Sequence, residues 1–258
     1  MRVNVLASGS KGNVTLIESK EAKILIDFGL SYKVIKEKLA LVNVSIEEVN
    51  GIFITHEHID HVKGIATLTK KHNIPIYLSK GSYEGIRDKN IGPDYHDFVI
   101  VKENQEIKIN DFMVSPFAIS HDANEPFGYV VNEGEKKLVY ITDTGYVSQV
   151  NESKIKNADV YILETNHNIE MLMCTNRPWH LKKRILGDFG HLCNEDALEV
   201  LNRVKGEHTK YVYLAHISEE ANNHDLLNLT VNHMCGVKES NIKFFIAFQN
   251  QISEIVEV

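Results

Sequence analysis

The sequence predicts an α/β fold in which two β-sheets lie face to face between outer layers of helices, a four-layer αββα sandwich. Three observations favour it. The chain has 258 residues, 43% of them apolar, and no Pro- or Gly-rich linker, so we expect one domain over residues 1–258. Both halves begin with short apolar runs and continue with alternating strands and helices. Several apolar runs end at a residue that can bind a metal, which is typical of sites at strand ends.

The first half of the chain opens as a meander of three short strands and then alternates strands with helices. Ser31 is a suitable N-cap for the first helix, and Asp60 would open the second. The predicted strands are 3–7, 14–18, 23–27, 52–55 and 75–78. The predicted helices are 31–39 and 60–72, and 81–87 is expected to be a short helix or a turn.

The second half repeats this order of elements without a detectable sequence repeat. A strand, a turn and a second strand are expected within 98–119, with Asn110-Asp111 as the hairpin signal. The further predicted strands are 129–131, 138–141, 160–163, 211–214, 243–247 and 252–256. The further predicted helices are 181–186, 194–204 and 223–234.

Charge and cysteine content narrow the function only slightly. The formal net charge is −7, so no global basic field indicates a nucleic-acid partner, although a local patch and bound metal ions can reverse the field at a site. The three cysteines show no C-x-x-C spacing, which favours reduced thiols. No signal sequence or long apolar run is present, so we expect a soluble, cytoplasmic protein without a membrane partner.

A dense group of metal-binding side chains follows one apolar strand. The motif H-x-H-x-D-H comes directly after the run 51–54 and contains His56, His58, Asp60 and His61. Residues two apart project to the same side of an extended chain, so His56 and His58 can hold one metal while the next two residues turn towards a second. Imidazole and carboxylate ligands suit zinc, manganese or iron.

Three later strands end in the same way, at His121, Asp143 and His216. Loops at strand ends gather in folds of this type, so we expect these residues to join the first group. Seven ligands are enough for two metal ions.

The spacing of these seven residues resembles that of the metallo-beta-lactamase-fold hydrolases. The resemblance implies an αββα sandwich of the metallo-beta-lactamase type, with two divalent ions as cofactors. In that family the first metal would be held by His56, His58 and His121, the second by Asp60, His61 and His216, and Asp143 would bridge them.

Asp143 is similar to the bridging aspartate of the glyoxalase II and nuclease branches of that family. Two segments, 163–167 and 190–194, resemble the Glu and His elements of ribonuclease Z-like enzymes. More closely, segments along nearly the whole chain resemble the YycJ (WalJ) group, which is linked with 5′ to 3′ exonuclease activity on double-stranded DNA and with mismatch repair. These segments are 7–13, 55–61, 120–123, 142–145, 164–167, 190–194, 216–218 and Asn222-Asn223. Cys193 departs from this pattern, because serine is expected there.

The resemblance implies hydrolysis by a hydroxide bound to two metals, because metal coordination lowers the pKa of water. His191, oriented by Glu164, would protonate the leaving 3′ oxygen. The predicted catalytic residues are therefore His191, Glu164 and Asp60. The alternatives are a capping or core role for His191, and for Glu164 a surface position or a hydrogen bond to a metal-bound histidine.

Substrate contacts are predicted on three segments, each with a plainer alternative. Ser8, Ser10 and Asn13 could bind an anion or only form a turn. Lys182 and Arg184, with Lys183 between them, could follow a DNA backbone or form a solvated helix face. Asn222 and Asn223 could bind phosphate or cap the next helix. The other histidines are expected to be structural or on the surface: His72, His96, His167, His180, His208, His224 and His233.

These observations leave several hypotheses for the function. The first is a DNA exonuclease acting in repair, with double-stranded DNA as the substrate. The alternatives are a thioester or lactone hydrolase of the glyoxalase II type and an RNA-processing nuclease. A non-catalytic binding module is a third class, but binding alone would not require all seven ligands. The Glu164 and His191 pair separates the first two, because a thiolate leaves without a general acid.

Overall fold

Two mixed β-sheets lie face to face in the computed structural model, which describes residues 1–89, 98–235 and 241–258. His96 lies outside these ranges. The strands are β1 (Arg2–Ala7), β2 (Val14–Glu18), β3 (Lys23–Ile26), β4 (Gly51–Phe53), β5 (Ile76–Leu78), β6 (Phe98–Ile100), β7 (Ile107–Ile109), β8 (Phe112–Ala118), β9 (Phe127–Glu133), β10 (Lys136–Ile141), β11 (Val160–Glu164), β12 (Tyr211–Ala215), β13 (Lys243–Ile246) and β14 (Val256–Glu257).

The two sheets have matching topologies. The first has the order β14-β1-β2-β3-β4-β5-β6, and the second has the order β13-β12-β11-β10-β9-β8-β7. In the first sheet, β14, β1, β2 and β3 are antiparallel to their neighbours, and β3 to β6 form three parallel pairings. In the second sheet, β7 to β10 form an antiparallel meander, and β10 to β13 form three parallel pairings. The carboxyl ends of the parallel strands in each sheet therefore lie at one edge.

Helices cover the outer faces of both sheets. They are α1 (Tyr32–Leu41), α2 (Ile59–Val62), α3 (Ile65–Leu68), α4 (Lys80–Asp88), α5 (Gln149–Ile155), α6 (Ile169–Cys174), α7 (Trp179–Ile185), α8 (Asn194–Val204) and α9 (His224–Cys235), with a 3-10 turn at Ile46–Glu48. Apolar residues of α1 to α4 pack on the first sheet, and those of α5, α8 and α9 pack on the second.

The alternation of side chains along each strand produces three layers of core. In β3, Ile24 and Ile26 point between the sheets, whereas Leu25 points to the helices. In β11, Ile162 faces the first sheet and Tyr161 faces the outer helices. The central layer holds residues from both halves of the chain, so the two sheets share one core.

The predicted αββα layering is confirmed, but some elements differ from the prediction. The expected helix 60–72 is wrong: α2 and α3 are separate, and Gly64 stands between them. A β-carbon on Gly64 would lie 2.5 Å from the Leu30 oxygen, because the chain turns there against Phe28. The hairpin at Asn110-Asp111 is confirmed, between β7 and β8, whereas β6, at the start of the expected strand-turn-strand unit, belongs to the first sheet. α5 and α6 were not predicted, and β14 is shorter than the expected 252–256.

No helix in the described ranges is both long enough and apolar enough to cross a membrane.

Candidate metal centre

The seven predicted ligands meet at the carboxyl-end edge of the two sheets. β4 runs into the loop that carries His56 and His58, and His58 is the N-cap of the short helix α2. Its extended backbone, with ψ of 148°, ends the loop, and the helix then turns Asp60 and His61 towards the second sheet. His121 follows β8, and Asp143 and His216 follow β10 and β12 at the same edge.

Three histidines form the first group of potential ligands. The donor atoms of His56, His58 and His121 lie within 4.8 Å of one another. His121 Nδ1 lies 3.2 Å from the Gly190 carbonyl oxygen, which only accepts, so this nitrogen carries the hydrogen and leaves Nε2 with a free lone pair. Burial lowers the pKa of all three imidazoles. They are therefore neutral at physiological pH, as metal binding requires.

Asp60, His61 and His216 form the second group, and their donor atoms also lie within 4.8 Å of one another. The Asp60 Oδ2 atom is 3.5 Å from His61 Nε2 and 3.7 Å from His216 Nε2. Burial alone would lower the pKa of each histidine, but the surrounding carboxylates outweigh it and raise both values well above the usual one. Concentrated negative charge of this kind stabilises any cation bound between these side chains.

Asp143 lies between the two groups. Its Oδ2 is 3.4 Å from His61 Nε2, and its Oδ1 is 3.4 Å from His216 Nε2 and 4.0 Å from His121 Nε2. The residue has a φ of 56°, in the left-handed region, which turns its carboxylate back over the strand end. One oxygen thus faces the second group, and the other lies between both, as a bridging ligand requires.

The donor set fits divalent metal ions. Three buried donor atoms, His56 Nε2, Asp143 Oδ2 and His216 Nε2, have no hydrogen-bond partner within the described part of the chain. Leaving buried polar atoms unsatisfied is costly, by about 1–3 kcal/mol each, so a bound cation explains their arrangement. Nitrogen and oxygen donors without a thiolate suit zinc, manganese or iron.

Glu164 connects the metal centre to His191. Its Oε1 lies 2.8 Å from His191 Nδ1 and 2.9 Å from His216 Nδ1, and Oε2 accepts a hydrogen bond from Thr144 N at 2.9 Å. Burial would raise the pKa of this carboxyl, but the neighbouring imidazoles outweigh it and hold the pKa well below the usual value. Glu164 is therefore an ionised, fully buried acceptor that orients both histidines.

His191 is the more accessible partner in this arrangement. Its ring centroid lies 5.2 Å from that of His121 and 5.3 Å from that of His216, while its side chain is 18% exposed. It therefore lies beside the candidate metal centre and is partly exposed to solvent. Its donor atoms also belong to a possible ligand group with Asp143, Glu164 and His216, so metal ligation is the alternative to proton transfer.

Asp27 is a site residue that sequence reasoning missed. It follows β3, is fully buried, and its Oδ2 lies 2.7 Å from His61 Nδ1. Thr55 donates its hydroxyl to the same carboxylate at 2.9 Å. A carboxylate on the far nitrogen fixes which nitrogen of His61 is free for a metal. The signal was present, since Asp27 ends an apolar strand and precedes Gly29 by two residues, as Asp143 precedes Gly145.

Replacing Asp27 with asparagine is expected to weaken metal binding at the second group by about tenfold or more, because outer carboxylates raise the basicity of the histidine that they contact. Competition with a chromophoric chelator measures this affinity. Asp111→Asn is the matched control, because Asp111 accepts a hydrogen bond from Ser19 at the β7–β8 turn instead of contacting a metal-binding histidine. An unchanged affinity in Asp27→Asn would contradict this role.

Most of the predicted substrate contacts lie inside the protein. Ser8 Oγ accepts a hydrogen bond from the His216 backbone N at 2.8 Å, and Asn13 links the Gly9 backbone to the Asp60 carbonyl. Asn222 is buried and donates to the Thr165 carbonyl at 3.0 Å. These three residues hold the loops that carry the ligands. A direct phosphate contact by any of them stays a prediction.

Ser10 and Asn223, by contrast, are exposed. Asn223 Oδ1 accepts hydrogen bonds from Asp225 N and Leu226 N, as a cap of α9 does.

The basic residues of α7 divide into buried and exposed ones. Lys182 is buried, and its Nζ donates to the Met173 and Thr175 carbonyls at 2.6 and 2.8 Å, so it ties α7 to the end of α6. This environment favours a structural role over the predicted contact with DNA. Lys183 and Arg184 are exposed, and Arg184 forms an ion pair with Asp122, next to His121. Arg184 therefore lies at the rim of the metal centre.

Cys193 and His167 lie together behind Glu164, joined by an isolated β-bridge. Cys193 is the N-cap of α8, and its Sγ accepts a hydrogen bond from Asp196 N, so it takes the position that a serine hydroxyl would occupy. Burial raises the pKa of this thiol to about 12. His167 is buried, and burial lowers its pKa to about 4; its structural role stays a prediction.

Comparisons with known proteins give a consistent family. Residues 22–217 match the family described as beta-lactamase superfamily domain. The chain is 38% identical over 235 residues to Exodeoxyribonuclease YycJ of Bacillus anthracis, covering 91% of this chain and 89% of that protein. It is also 38% identical over 232 residues to Exodeoxyribonuclease WalJ of Streptococcus pneumoniae, covering 89% and 86%.

A similar fold occurs in a solved structure, the metallo-beta-lactamase fold protein YhfI from Bacillus subtilis. The TM-score is 0.75, with 17% identity, and the match covers 100% of this chain and 98% of that one. At this identity the likeness concerns the fold alone.

Proposed function

This chain belongs to the beta-lactamase superfamily, and from that membership and the geometry of its site we propose that it is a metal-dependent nuclease that degrades DNA from its ends. The observation that carries the proposal is the 2.8 Å hydrogen bond between Glu164 and His191 beside the bridging position of Asp143. It supplies a proton donor for a leaving alkoxide next to a two-metal site. Two relatives with 38% identity carry the name exodeoxyribonuclease.

We propose that the first metal is bound by His56, His58 and His121 and the second by Asp60, His61 and His216, with Asp143 shared. When bound, two divalent ions of this kind lower the pKa of water and neutralise charge on a phosphodiester. The chain supplies the geometry: Asp27 and Glu164 hold two of the imidazoles by hydrogen bonds of 2.7 and 2.9 Å. Zinc, manganese and iron all suit these donors.

His191 is the proposed general acid. Its Nδ1 is engaged by Glu164, so Nε2 is the nitrogen that can carry a proton to the leaving 3′ oxygen. The buried carboxylate fixes the orientation of the imidazole, as a general acid requires. The partial exposure of His191 leaves room for a substrate between the ring and the solvent.

The finer substrate assignment is double-stranded DNA cut from 5′ to 3′ in repair, as the family resemblance implies. Lys183, Arg184, Ser10 and Asn223 are exposed and are the proposed contacts to the DNA backbone. The cationic side chains can compensate for the overall charge of −7, together with bound metal ions.

We also propose that residues 1–258 form one domain acting in the cytoplasm, and the three free cysteines support that compartment.

The second candidate is a hydrolase of thioesters or lactones. The metal centre would suit it equally well, because the same ligands polarise a carbonyl. The Glu164–His191 pair favours phosphodiester cleavage, since a thiolate needs no proton to leave. An RNA nuclease would use the same pair, so only the substrate distinguishes it from a DNA nuclease.

The purified protein, supplemented with manganese, is expected to release mononucleotides from a 5′-phosphorylated DNA duplex. RNA of the same sequence and S-lactoylglutathione are the comparison substrates, and a chelator should stop the reaction. Label at the 5′ or the 3′ end of the duplex reports the polarity. Faster cleavage of the RNA would contradict the DNA assignment, and hydrolysis of the thioester alone would contradict nuclease activity.

A further inference from the structure

Two aromatic side chains at the rim of the metal centre are exposed to solvent. Phe189 is 63% exposed and Tyr146 is 50% exposed, although each lies within three residues of a site residue, His191 and Asp143 respectively. Large exposed apolar groups beside a catalytic centre are typical of ligand contacts. Neither ring takes part in holding the metal ligands.

The backbones that carry these rings are firmly attached to the site. Phe189 accepts a hydrogen bond from Asp122 N at 3.2 Å, and the next carbonyl, of Gly190, accepts from His121 Nδ1. The carbonyl of Tyr146 accepts from the Thr144 hydroxyl at 2.8 Å, and Thr144 N donates to Glu164. The backbone positions of both residues are thus fixed relative to the metal centre, which limits the region that each ring can occupy and lowers the entropy cost of binding a flat ligand.

The two loops also touch each other. Gly145 N donates to the Ser120 carbonyl at 2.9 Å, and the Ser120 hydroxyl donates to the Asp188 carbonyl at 2.7 Å. A β-carbon on Gly145 would collide with the Asp188 and Gly187 carbonyls, so glycine is required for this close approach. The loop of Asp143 and the loop of His191 therefore form one rigid rim.

Tyr146 and Phe189 line a common cleft of about 370 Å³, together with Ser120 and the exposed Val150. Among the lining residues in the described part of the chain, Glu103 is the one with a charged side chain. Its carboxylate is paired with the Lys154 ammonium at 2.8 Å. A cleft with aromatic faces and no cation among these residues suits the planar face of a base better than a phosphate.

We infer that Tyr146 and Phe189 form a stacking surface for the terminal nucleobases of a DNA end, which rests on the proposed nuclease function. The metal ligands His56, His61 and Asp143 are buried, so a scissile phosphate must leave the regular duplex to reach them. Unpairing a terminal base loses its stacking within the duplex, and an aromatic side chain beside the site replaces that interaction. The ligand of the cleft is therefore an unpaired base.

Phe189→Ala and Tyr146→Ala are expected to lower kcat/KM for a 5′-phosphorylated duplex by about five- to 150-fold, the range for loss of one stacked base. Phe189→Leu should behave like the alanine variant, whereas Phe189→Tyr should retain activity, because only the aromatic face matters. Leu41→Ala is the control, since Leu41 is 74% exposed at the end of α1. Metal content should not change in any variant.

The same variants assayed on a duplex with abasic terminal nucleotides complete the test. On that substrate, the kcat/KM of the wild type divided by that of Phe189→Ala should fall towards one. The substitution and the abasic site each remove the same contact, between the ring and the base, so the second change has little further effect. An unchanged ratio, or variants as active as wild type on the intact duplex, would overturn the stacking surface and leave the nuclease function standing. No cleavage of DNA by the wild-type enzyme would overturn both.

Discussion

Asp143→Asn is expected to lower metal content below two ions per chain and to reduce DNA hydrolysis by about a thousandfold or more. Asp143 lies between the two ligand groups, with its Oδ1 3.4 Å from His216 Nε2 of the second group and 4.0 Å from His121 Nε2 of the first. An asparagine keeps the shape but removes the negative charge that two adjacent cations require. Loss of a single charge-stabilising group costs about 10²–10³ in rate, and loss of a metal adds to that.

The measurement is metal content by mass spectrometry after dialysis, alongside turnover on labelled duplex. Asp159→Asn is the matched control: Asp159 is as buried as Asp143, but it precedes β11 at the opposite edge of the sheet, where it accepts from Lys137 N at 3.0 Å. This control should lose stability without losing metal or activity per folded molecule. Two retained ions and normal turnover in Asp143→Asn would refute the bridging role.

The seven candidate ligands could be grouped from the sequence because they lie at or shortly after the ends of apolar strands. A local pattern, a buried run followed by His or Asp, was enough to name His121, Asp143 and His216 and to place them at one edge of a sheet. The same rule applies to Asp27, yet that residue went unrecognised. Its partner His61 comes 34 residues later, and the contact depends on the parallel pairing of β3 with β4, which no local pattern encodes.

Other differences have the same origin in long-range contacts. The expected strand-turn-strand unit within 98–119 forms as β7 and β8, but β6 at its start pairs with β5 in parallel and belongs to the other sheet. Lys182 is a second residue whose environment depends on tertiary contacts. A lysine in a basic run suggests an exposed face, but here carbonyls left free near the end of α6 accept from its ammonium. Only tertiary structure decides between these outcomes.

Glu164 illustrates how the site exceeds its sequence motif. The sequence offers two alternative roles for it, as a partner of the proposed general acid or of a histidine proposed to bind metal. The Oε1 atom lies within hydrogen-bond distance of both histidines, at 2.8 Å from His191 and 2.9 Å from His216, so the two roles are compatible. A change at Glu164 would therefore disturb metal binding and proton transfer together, so His191 is the residue at which the two effects can be separated.

His191→Ala is expected to reduce DNA hydrolysis by about 10²–10⁴-fold while both metal ions stay bound, because general acid catalysis contributes an effect of that size. The loss should depend on the leaving group. A 3′ alkoxide needs a proton, whereas p-nitrophenolate is weakly basic and leaves without one, so hydrolysis of bis(p-nitrophenyl) phosphate should change far less. His233→Ala, at an exposed position of α9, is the matched control and should match wild type on both substrates.

The ratio of the two rates therefore tests the assignment more sharply than either rate alone. An equal loss on both substrates with metal retained would indicate that His191 binds substrate instead of donating a proton. Loss of metal would assign it to the alternative ligand group with Asp143, Glu164 and His216. Only a selective loss on DNA agrees with the proposed geometry, in which a buried carboxylate holds Nδ1 and leaves the other nitrogen, on a partly exposed ring, to meet the leaving oxygen.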